Sequence, residues 1–294
     1  MIDPVRGRRL GGRFAFLALY LPPVIWLLLF LVVPLLLMAA YSFRPDLRGG
    51  LLDVFMPTLK QFATVFATQS YLRLLGLSAL MAFGVACIAV LLAYPIAYYL
   101  ARHAGGRAWL YLLLLLVCFW TSYLLRVMAW KLMLGQEGVV NSFLMFVGLI
   151  SAPIDALLYN RGAVMITLVY VWIPFAVLPI LAALSRVRPE LLDAAADLGA
   201  SPASQFRRVT LPLSLPGVAA GFFLVFIPTI GEYITPLLVG GSGGSMYGNI
   251  VQDFFTKAAN WPLGSALSMI MLASTVVLVV IAVRIVGVNR FFRT

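Results

Sequence analysis

The amino-acid sequence predicts an all-α integral membrane protein with six transmembrane helices. Of its 294 residues, 63% are hydrophobic and 11% are charged, whereas soluble domains average about 45–50% apolar and about 25% charged residues. Such a chain has too little polar surface to cover a soluble fold. A helix that crosses the bilayer needs roughly 20 mainly apolar residues, and six stretches meet this length. They cover residues 14–41, 72–101, 109–130, 163–184, 218–240 and 263–286.

The first span follows a short basic segment, residues 1–13. Basic residues before an apolar run also occur in signal peptides, but a signal peptide has an apolar core of only about 7–15 residues. The run at 14–41 is much longer and has no small-residue cleavage site before Pro34. We therefore expect residues 1–13 to be a cytoplasmic N-terminal segment and residues 14–294 to form a single transmembrane domain.

The basic residues indicate the orientation of the chain. The formal net charge is +11, from 21 Lys and Arg against 10 Asp and Glu. Cytoplasmic loops of membrane proteins carry an excess of Lys and Arg, and most of the basic residues fall on the inner side if the N-terminus is inside. Six spans return the C-terminus to the same side, so both termini are expected in the cytoplasm. The positive charge then reflects topology, and no nucleic-acid partner is expected.

Residues suited to catalysis or metal binding are scarce. One His and two Cys are too few for a typical zinc site, and the predicted spans contain no close pair of carboxylates. We therefore predict neither a catalytic site nor a metal site, and a membrane enzyme is the least favoured functional class. A secondary transporter working alone would predict inverted repeats and several intramembrane ionisable groups. The sequence shows no clear repeat and few such groups.

The loop between spans four and five, residues 185–217, is long and polar. Pro189 suits the first turn of a helix, and Gly199 suits the C-terminal cap of that helix. A Ser-Pro pair at 201–202 suits the start of a second helix, which a Leu-Pro pair at 211–212 is expected to close. The sequence thus predicts two short helices on the cytoplasmic side. They form either a docking surface for a cytoplasmic partner or a solvated hairpin.

The same loop resembles the EAA motif of permeases from binding-protein-dependent ABC importers. That motif consists of EAA, three residues, Gly, nine residues, an apolar residue, one residue and Leu-Pro, and every spacing is kept here. Asp193 stands where the family usually has Glu, so the carboxylate is retained on a shorter side chain. The matching residues are Asp193, Ala194, Ala195, Gly199, Val209, Leu211 and Pro212.

Two further segments narrow the resemblance to the spermidine and putrescine permease family. Residues 119–141 look like the third-span signature of polyamine-type permeases, and residues 225–241 look like a second segment of the same permeases. The resemblance extends over nearly all of the chain from about residue 70 onwards. The superfamily also includes permeases for iron, thiosulfate, opines and aminophosphonates. An opine, aminophosphonate or amino-acid-like solute therefore stays open as the substrate.

The resemblance implies the fold of a type I ABC importer permease in the bacterial inner membrane. The implied partners, besides membrane lipid, are a second and often non-identical permease subunit, a cytoplasmic ATPase dimer and a periplasmic or extracellular substrate-binding protein. The chain has no G-x-x-x-x-G-K-[ST] phosphate loop, so ATP and Mg are expected on the ATPase and no cofactor on this chain. The residues implied to couple transport to the ATPase are Asp193, Ala194, Ala195, Gly199, Ala200, Ser201, Pro202, Phe206, Leu211 and Pro212.

Charged residues inside the predicted spans need a reason, because a charge at the bilayer centre costs roughly 2.5–3.5 kcal/mol on translocon scales. Glu232 lies in span five, where Pro and Gly neighbours favour a helix break. Arg126 lies in span three at a similar depth. Two interpretations stay open. Glu232 attracts the ammonium group of a substrate, or Glu232 and Arg126 form an internal ion pair that could also act as a gate.

Aromatic and hydroxyl residues accompany these charges. Aromatic faces attract cations, which would suit a polyamine, although Trp and Tyr inside spans also serve in packing. The residues predicted along a substrate path or gate are Trp120, Thr121, Tyr123, Arg126, Glu232 and Tyr233. The function that the sequence predicts is import of a small cationic solute by alternating access, driven by a partner ATPase.

Overall fold

The computed structural model describes residues 9–45 and 57–286. These residues form helices and connecting loops, with no strand among them. Helices α1 to α7 are Arg9–Leu27, Val33–Ser42, Lys60–Ala67, Gln69–Arg102, Ala108–Trp120, Tyr123–Leu134 and Val139–Phe146. Helices α8 to α13 are Arg161–Leu184, Pro189–Asp197, Pro202–Gln205, Leu211–Ile230, Tyr247–Thr256 and Trp261–Val286. Residues 1–8 of the predicted N-terminal segment lie outside the described residues, as do residues 46–56 and 287–294 of the predicted transmembrane domain.

The chain divides into two compact units. The first comprises Met1–Ala67 with Phe254–Ile270, and the second comprises Thr68–Asp253 with Met271–Thr294. In the described part of the first unit, α1 passes into α2 through a π-helical turn, Leu28–Val32, without leaving the helical conformation. The side-chain amide of Gln61 donates hydrogen bonds to the carbonyls of Arg44 and Pro45, each at 3.3 Å. These bonds tie the chain that follows α2 to α3.

The core of the second unit lies where α4, α8 and α11 pack together. α4 presents small side chains to this core at intervals of three or four residues, and small residues let helix backbones approach closely. On the facing side of the core, α11 places Gly217 and Gly221 against α8. A hydrogen bond of 2.9 Å between the hydroxyls of Tyr94 and Ser214 also joins α4 to α11. The buried alanines of α4 are Ala82, Ala86, Ala89, Ala93 and Ala97.

The position of Gly217 has no room for a methyl group. A Cβ there would meet the Cβ of Ala183 and the carbonyl oxygen of Pro179 on α8. We expect Gly217→Ala to force α11 away from α8 and to lower the free energy of unfolding by about 1–3 kcal/mol. Gly76→Ala on α4 is the control, because an added Cβ there meets nothing within 4 Å. Thermal unfolding of the purified protein measures both variants, and equal unfolding temperatures would contradict this prediction.

Within the described residues, five continuous helices are long and apolar enough to cross a membrane. The predicted third span, 109–130, is instead divided into α5 and α6 by a break at Thr121 and Ser122. Five of the six predicted spans thus overlap a continuous helix of this kind, and the third does not. The continuous helices are Leu19–Ser42, Gln69–Arg102, Arg161–Leu184, Pro202–Ile230 and Trp261–Arg284.

The structure differs from the predicted limits of span five, 218–240. The helix here runs without interruption over Pro202–Ile230. The pair Leu211 and Pro212 therefore does not close the second short helix of the loop, contrary to expectation. A π-helical turn at Phe206–Thr210 precedes this proline. Proline removes one backbone donor, and the wider turn accommodates that loss without ending the helix.

Candidate functional site

The loop between α8 and α11 contains the predicted pair of short helices, α9 and α10. We call residues 189–205 the hairpin. Gly199 joins the two helices with a φ of +79°, in the left-handed region that glycine reaches most easily. Its N–H donates to the carbonyl of Ala196 at 2.8 Å, and the N–H of Ala200 donates to the carbonyl of Ala195 at 3.0 Å. These are the two hydrogen bonds of a Schellman motif, which ends α9 and reverses the chain.

Ser201 and Pro202 start α10 as predicted. The Ser201 hydroxyl accepts a hydrogen bond from the N–H of Ser204 at 3.4 Å, and Pro202 stands in the first turn, where a missing N–H costs nothing. The side-chain amide of Gln205 donates to the carbonyl of Ala200 at 3.0 Å. The turn between α9 and α10 is therefore determined by residues of the hairpin itself.

The surface of the hairpin is exposed. None of the residues of α9 is buried, and Asp193 and Ala194 are exposed while Ala195 is half-buried. Leu191 and Leu198 are 47% and 89% exposed. Exposed leucines beside a carboxylate suit a surface that another protein covers, and the same exposure also fits a solvated hairpin.

Phe206 follows the hairpin and faces the core of its own chain. Its ring makes edge contacts with the rings of Tyr94 and Tyr98 on α4, at centroid distances of 5.8 and 5.7 Å. Such aromatic pairs add about 0.5–1.5 kcal/mol to the burial of the rings. Leu211 and Pro212, which the resemblance also implies as coupling residues, lie in α11. The hairpin is thus anchored on α4, and its second helix continues into α11.

Two helix breaks lie in the second unit, at positions that the sequence predicts to be inside the membrane. The first break, at Thr121 and Ser122, separates α5 from α6, and both residues have ψ near 140°. The second break begins at Gly231, after the end of α11, and reaches Tyr233. Irregular backbone at membrane depth is tolerated where protein buries it or where it lines a water-filled cavity. The two breaks are therefore candidates for a polar path.

Glu232 lies in the second break and caps the short helical segment that follows. Its Oε1 accepts hydrogen bonds from the N–H groups of Ile234 at 3.0 Å and Thr235 at 3.3 Å. The first N–H groups of a helix have no partner within the helix, and they stabilise a carboxylate placed beside them. The helix break that the Pro and Gly neighbours of Glu232 predicted is confirmed.

The two breaks meet through a pair of hydroxyl groups. The Tyr123 hydroxyl lies 2.5 Å from the Thr235 hydroxyl, and Thr235 is fully buried. The same phenol lies beside the carboxylate of Glu232. The guanidinium of Arg126 is 5.9 Å from the centroid of the Tyr123 ring. We call these four residues the break site.

The remaining residues predicted along a substrate path lie around the break site. Thr121 lines a groove of about 500 Å³ together with Arg126 and Tyr170. Tyr233 is 38% exposed, and its carbonyl accepts a hydrogen bond from the side chain of Asn249 at 2.8 Å. Trp120 lies at the end of α5 and is 93% exposed.

Thr235 is absent from the residues that the sequence predicts, although one signal for it exists. It lies three residues after Glu232, which is the spacing of a capping contact at the start of a helix. Its hydroxyl partner Tyr123 is 112 residues away in the chain, so no local pattern could pair the two. The hydrogen bonds of the Glu232 carboxylate run to backbone N–H groups, and the proposed ion pair between Glu232 and Arg126 stays a prediction.

Residues 4–292 match the family of binding-protein-dependent transport system inner membrane components. The chain belongs to this family. It is therefore a permease subunit of the bacterial inner membrane, as the EAA-like motif predicts, and a transport subunit rather than an enzyme.

Several proteins with similar sequences are named as permeases. The permease is 36% identical over 244 residues to the spermidine/putrescine transport system permease protein PotB of Haemophilus influenzae, covering 83% of this chain and 84% of that protein. It is 34% identical over 254 residues to PotB of Escherichia coli, covering 83% and 88% of the two chains. The inner membrane ABC transporter permease protein YdcU of Escherichia coli is 37% identical over 204 residues, which cover 65% of this chain and 64% of YdcU.

Solved structures of ABC transporters share the fold of the permease. One is a chain of a bacterial ABC transporter involved in the import of the acidic polysaccharide alginate, with a TM-score of 0.70 and 18% identity over 94% of this chain and 96% of that one. A second structure, of a bacterial alginate ABC transporter in complex with an alginate pentasaccharide-bound periplasmic protein, gives a TM-score of 0.69 and 20% identity over 97% of each chain. The predicted ABC importer permease fold is confirmed.

Proposed function

We propose that the permease imports polyamines such as spermidine and putrescine. The observation that carries this proposal is the carboxylate of Glu232, held where two helix breaks meet. Its Oε1 accepts two backbone hydrogen bonds that fix its position, and its negative charge can attract an ammonium group. The ring of Tyr123 beside it offers a face that attracts cations. The relatives named for spermidine and putrescine transport support the same substrate class.

The energy for import comes from a cytoplasmic ATPase dimer, which binds ATP and Mg, while this chain holds no cofactor. The exposed surface of the hairpin supports a role in docking that ATPase, with Asp193 and Leu198 on the docking face. A second permease subunit, homologous and non-identical, completes the pore. A substrate-binding protein delivers the polyamine from the periplasmic side.

Import proceeds by alternating access. Closure of the ATPase dimer displaces the hairpin, and α10 belongs to the same continuous helix as α11. That helix ends at Ile230, directly before the break that contains Glu232. A rigid-body movement of this helix therefore moves one side of the break site and changes the side of the membrane to which it opens.

Arg126 favours a second candidate function, the import of a zwitterionic or anionic solute. Its guanidinium lies near the Tyr123 ring and lines the groove of about 500 Å³. A guanidinium presents a planar set of donors that matches carboxylate and phosphate groups. An opine, aminophosphonate or amino-acid-like substrate would use Arg126 and Glu232 together.

Reconstitution tests these proposals directly. Proteoliposomes that contain the permease, its partner permease and the ATPase should take up spermidine only when ATP is inside and the loaded binding protein is outside. We expect spermidine uptake to exceed opine or aminophosphonate uptake by at least about tenfold, which corresponds to ~1.4 kcal/mol of discrimination. Preferred uptake of the zwitterionic solutes would support the second candidate. Uptake by this chain alone, without ATP, would contradict the ABC mechanism.

A further inference from the structure

The first turn of α12 packs directly against the break that contains Glu232. The side-chain amide of Asn249 donates a hydrogen bond to the carbonyl of Tyr233 at 2.8 Å. The side-chain oxygen of Asn249 accepts a hydrogen bond from the N–H of Met246 at 2.9 Å. Asn249 therefore joins the start of α12 to the residue that follows Glu232.

Gly248 allows this close packing. A Cβ at that position would lie 2.7 Å from the carbonyl oxygen of Gly231 and 2.7 Å from that of Glu232. Real Cβ atoms do not approach backbone oxygens so closely, because the van der Waals radii of the two atoms would overlap. Any side chain larger than that of glycine would push the break and α12 apart.

The start of α12 is also fixed on its other side. Tyr247 is fully buried, and its N–H donates to the Ser78 hydroxyl of α4 at 2.8 Å. The first turn of α12 is therefore held between the long helix α4 and the break. Its position determines where the backbone of Gly231–Tyr233 lies.

α11 ends at Ile230, and the residues after it leave the helical hydrogen-bond pattern until the next short helical segment begins. The Tyr233 carbonyl accepts two hydrogen bonds, one from the N–H of Leu237 in that segment at 3.1 Å and one from the Asn249 amide, which alone ties it to α12. Glu232 is the preceding residue, and its carboxylate lies beside the phenol of Tyr123 and accepts the N–H groups of Ile234 and Thr235.

We propose that Asn249 is a positioning residue for Glu232, with Gly248 providing the space that the contact requires. The inference rests on the proposed role of Glu232 in polyamine import. When the hydrogen bond from Asn249 to Tyr233 is lost, the break relaxes and the carboxylate leaves its place between Tyr123 and the start of the next helical segment. Polyamine uptake then falls although the chain folds and assembles.

Asn249→Asp removes the donor of this contact and adds a negative charge. The carboxylate still accepts the hydrogen bond from Met246, and an acidic residue in the first turn suits the helix dipole, so α12 stays stable. At the Tyr233 carbonyl, however, an amide donor becomes a negatively charged oxygen. Asn260→Asp is the matched control, because the Asn260 side-chain oxygen caps α13 by accepting the N–H of Leu263 at 3.2 Å, and Asp caps helices equally well.

Gly248→Ala perturbs the same contact in a different way, because the added methyl group separates α12 from the backbone of Gly231 and Glu232. Alanine is a better helix former than glycine, so a loss of uptake in this variant does not come from a weaker α12. Gly243→Ala in the loop before α12 is its control, because an added Cβ there meets nothing within 4 Å.

Spermidine uptake by the reconstituted complex, driven by ATP and the loaded binding protein, is the measurement. We expect Asn249→Asp and Gly248→Ala each to lose about tenfold in uptake rate, with both controls close to wild type. Asn249→Asp should keep the yield and unfolding temperature of the wild-type complex, whereas the backbone clash created by Gly248→Ala should also lower its unfolding temperature. In a Glu232→Gln background, Asn249→Asp should cause no further loss, because residues that act as a unit are not additive.

Two results would overturn the positioning role: uptake by Asn249→Asp that equals wild type, or a loss that multiplies to about a hundredfold in the Glu232→Gln background, as independent structural damage would give. A wild-type complex that imports no polyamine would instead overturn the proposed function together with this inference. That result is distinct, because it is seen before any variant is compared.

Discussion

Replacing Glu232 by Gln should lower spermidine uptake by at least about tenfold, a loss of ~1.4 kcal/mol or more in stabilisation of the translocated cation. The reason is that Gln retains a side-chain oxygen that can accept the hydrogen bonds from Ile234 and Thr235, while it removes the negative charge. The helix break should therefore keep its geometry and lose its attraction for an ammonium group. Uptake assays in proteoliposomes with partner subunits and binding protein measure the effect.

Glu137→Gln is the control for this prediction. Glu137 is an exposed carboxylate in the loop after α6 and is not one of the residues predicted along the path. The substitution therefore makes the same change in net charge without touching the proposed path, and uptake should stay near wild type. A Glu232→Gln complex that fails to assemble would favour the alternative in which Glu232 and Arg126 stabilise the fold as an ion pair. Normal uptake by an assembled Glu232→Gln complex would show that the carboxylate does not meet the substrate.

The two helix breaks differ in how far the sequence could predict them. The break at Glu232 is predictable because Pro228, Gly231 and Pro236 interrupt an otherwise apolar span. The break at Thr121 and Ser122 contains no Pro or Gly. A prediction from hydropathy alone therefore places a continuous helix across it. The break therefore becomes visible only in the fold.

The hairpin shows the same division between local and distant causes. Its cap residues Gly199 and Ser201 were predictable, because the hydrogen bonds that define them run to residues within five positions. The continuation of α10 into α11 was not predictable, because Pro212 normally marks a helix boundary and the π-helical turn before it has no known sequence rule. The orientation of the Phe206 ring was not predictable either, because the ring packs against Tyr94 and Tyr98, which lie more than a hundred residues earlier.

The residues that hold the break site in place were missed for a related reason. Thr235, Gly248 and Asn249 are short polar or small residues of the kind found in any loop. Their roles arise from contacts with Tyr123 and with the backbone of Gly231–Tyr233. A single sequence can therefore indicate the charged member of such a site, while the neutral residues that position it become visible only in the fold.

Replacing Gly199 by Val should abolish most coupled transport. The φ of +79° at this position is strained by roughly 1–2 kcal/mol for an ordinary side chain and more for a β-branched one. The Schellman bonds would break and the angle between α9 and α10 would change. We expect at least about a tenfold drop in ATP hydrolysis stimulated by the loaded binding protein, measured on the reconstituted complex, because the hairpin would no longer present its docking surface.

Gly199→Asn separates backbone strain from the loss of a contact surface. Asn adopts left-handed conformations more readily than most residues, and within this chain an added Cβ at 199 meets nothing within 4 Å. If only the turn matters, Gly199→Asn retains most of the stimulated ATP hydrolysis while Gly199→Val loses it. If Gly199 itself lies against the ATPase, both variants lose activity, since the Asn side chain would then collide with the partner. Normal stimulation of ATP hydrolysis in both variants would show that the hairpin is a solvated loop. That result would contradict the docking role proposed for Asp193 and Leu198.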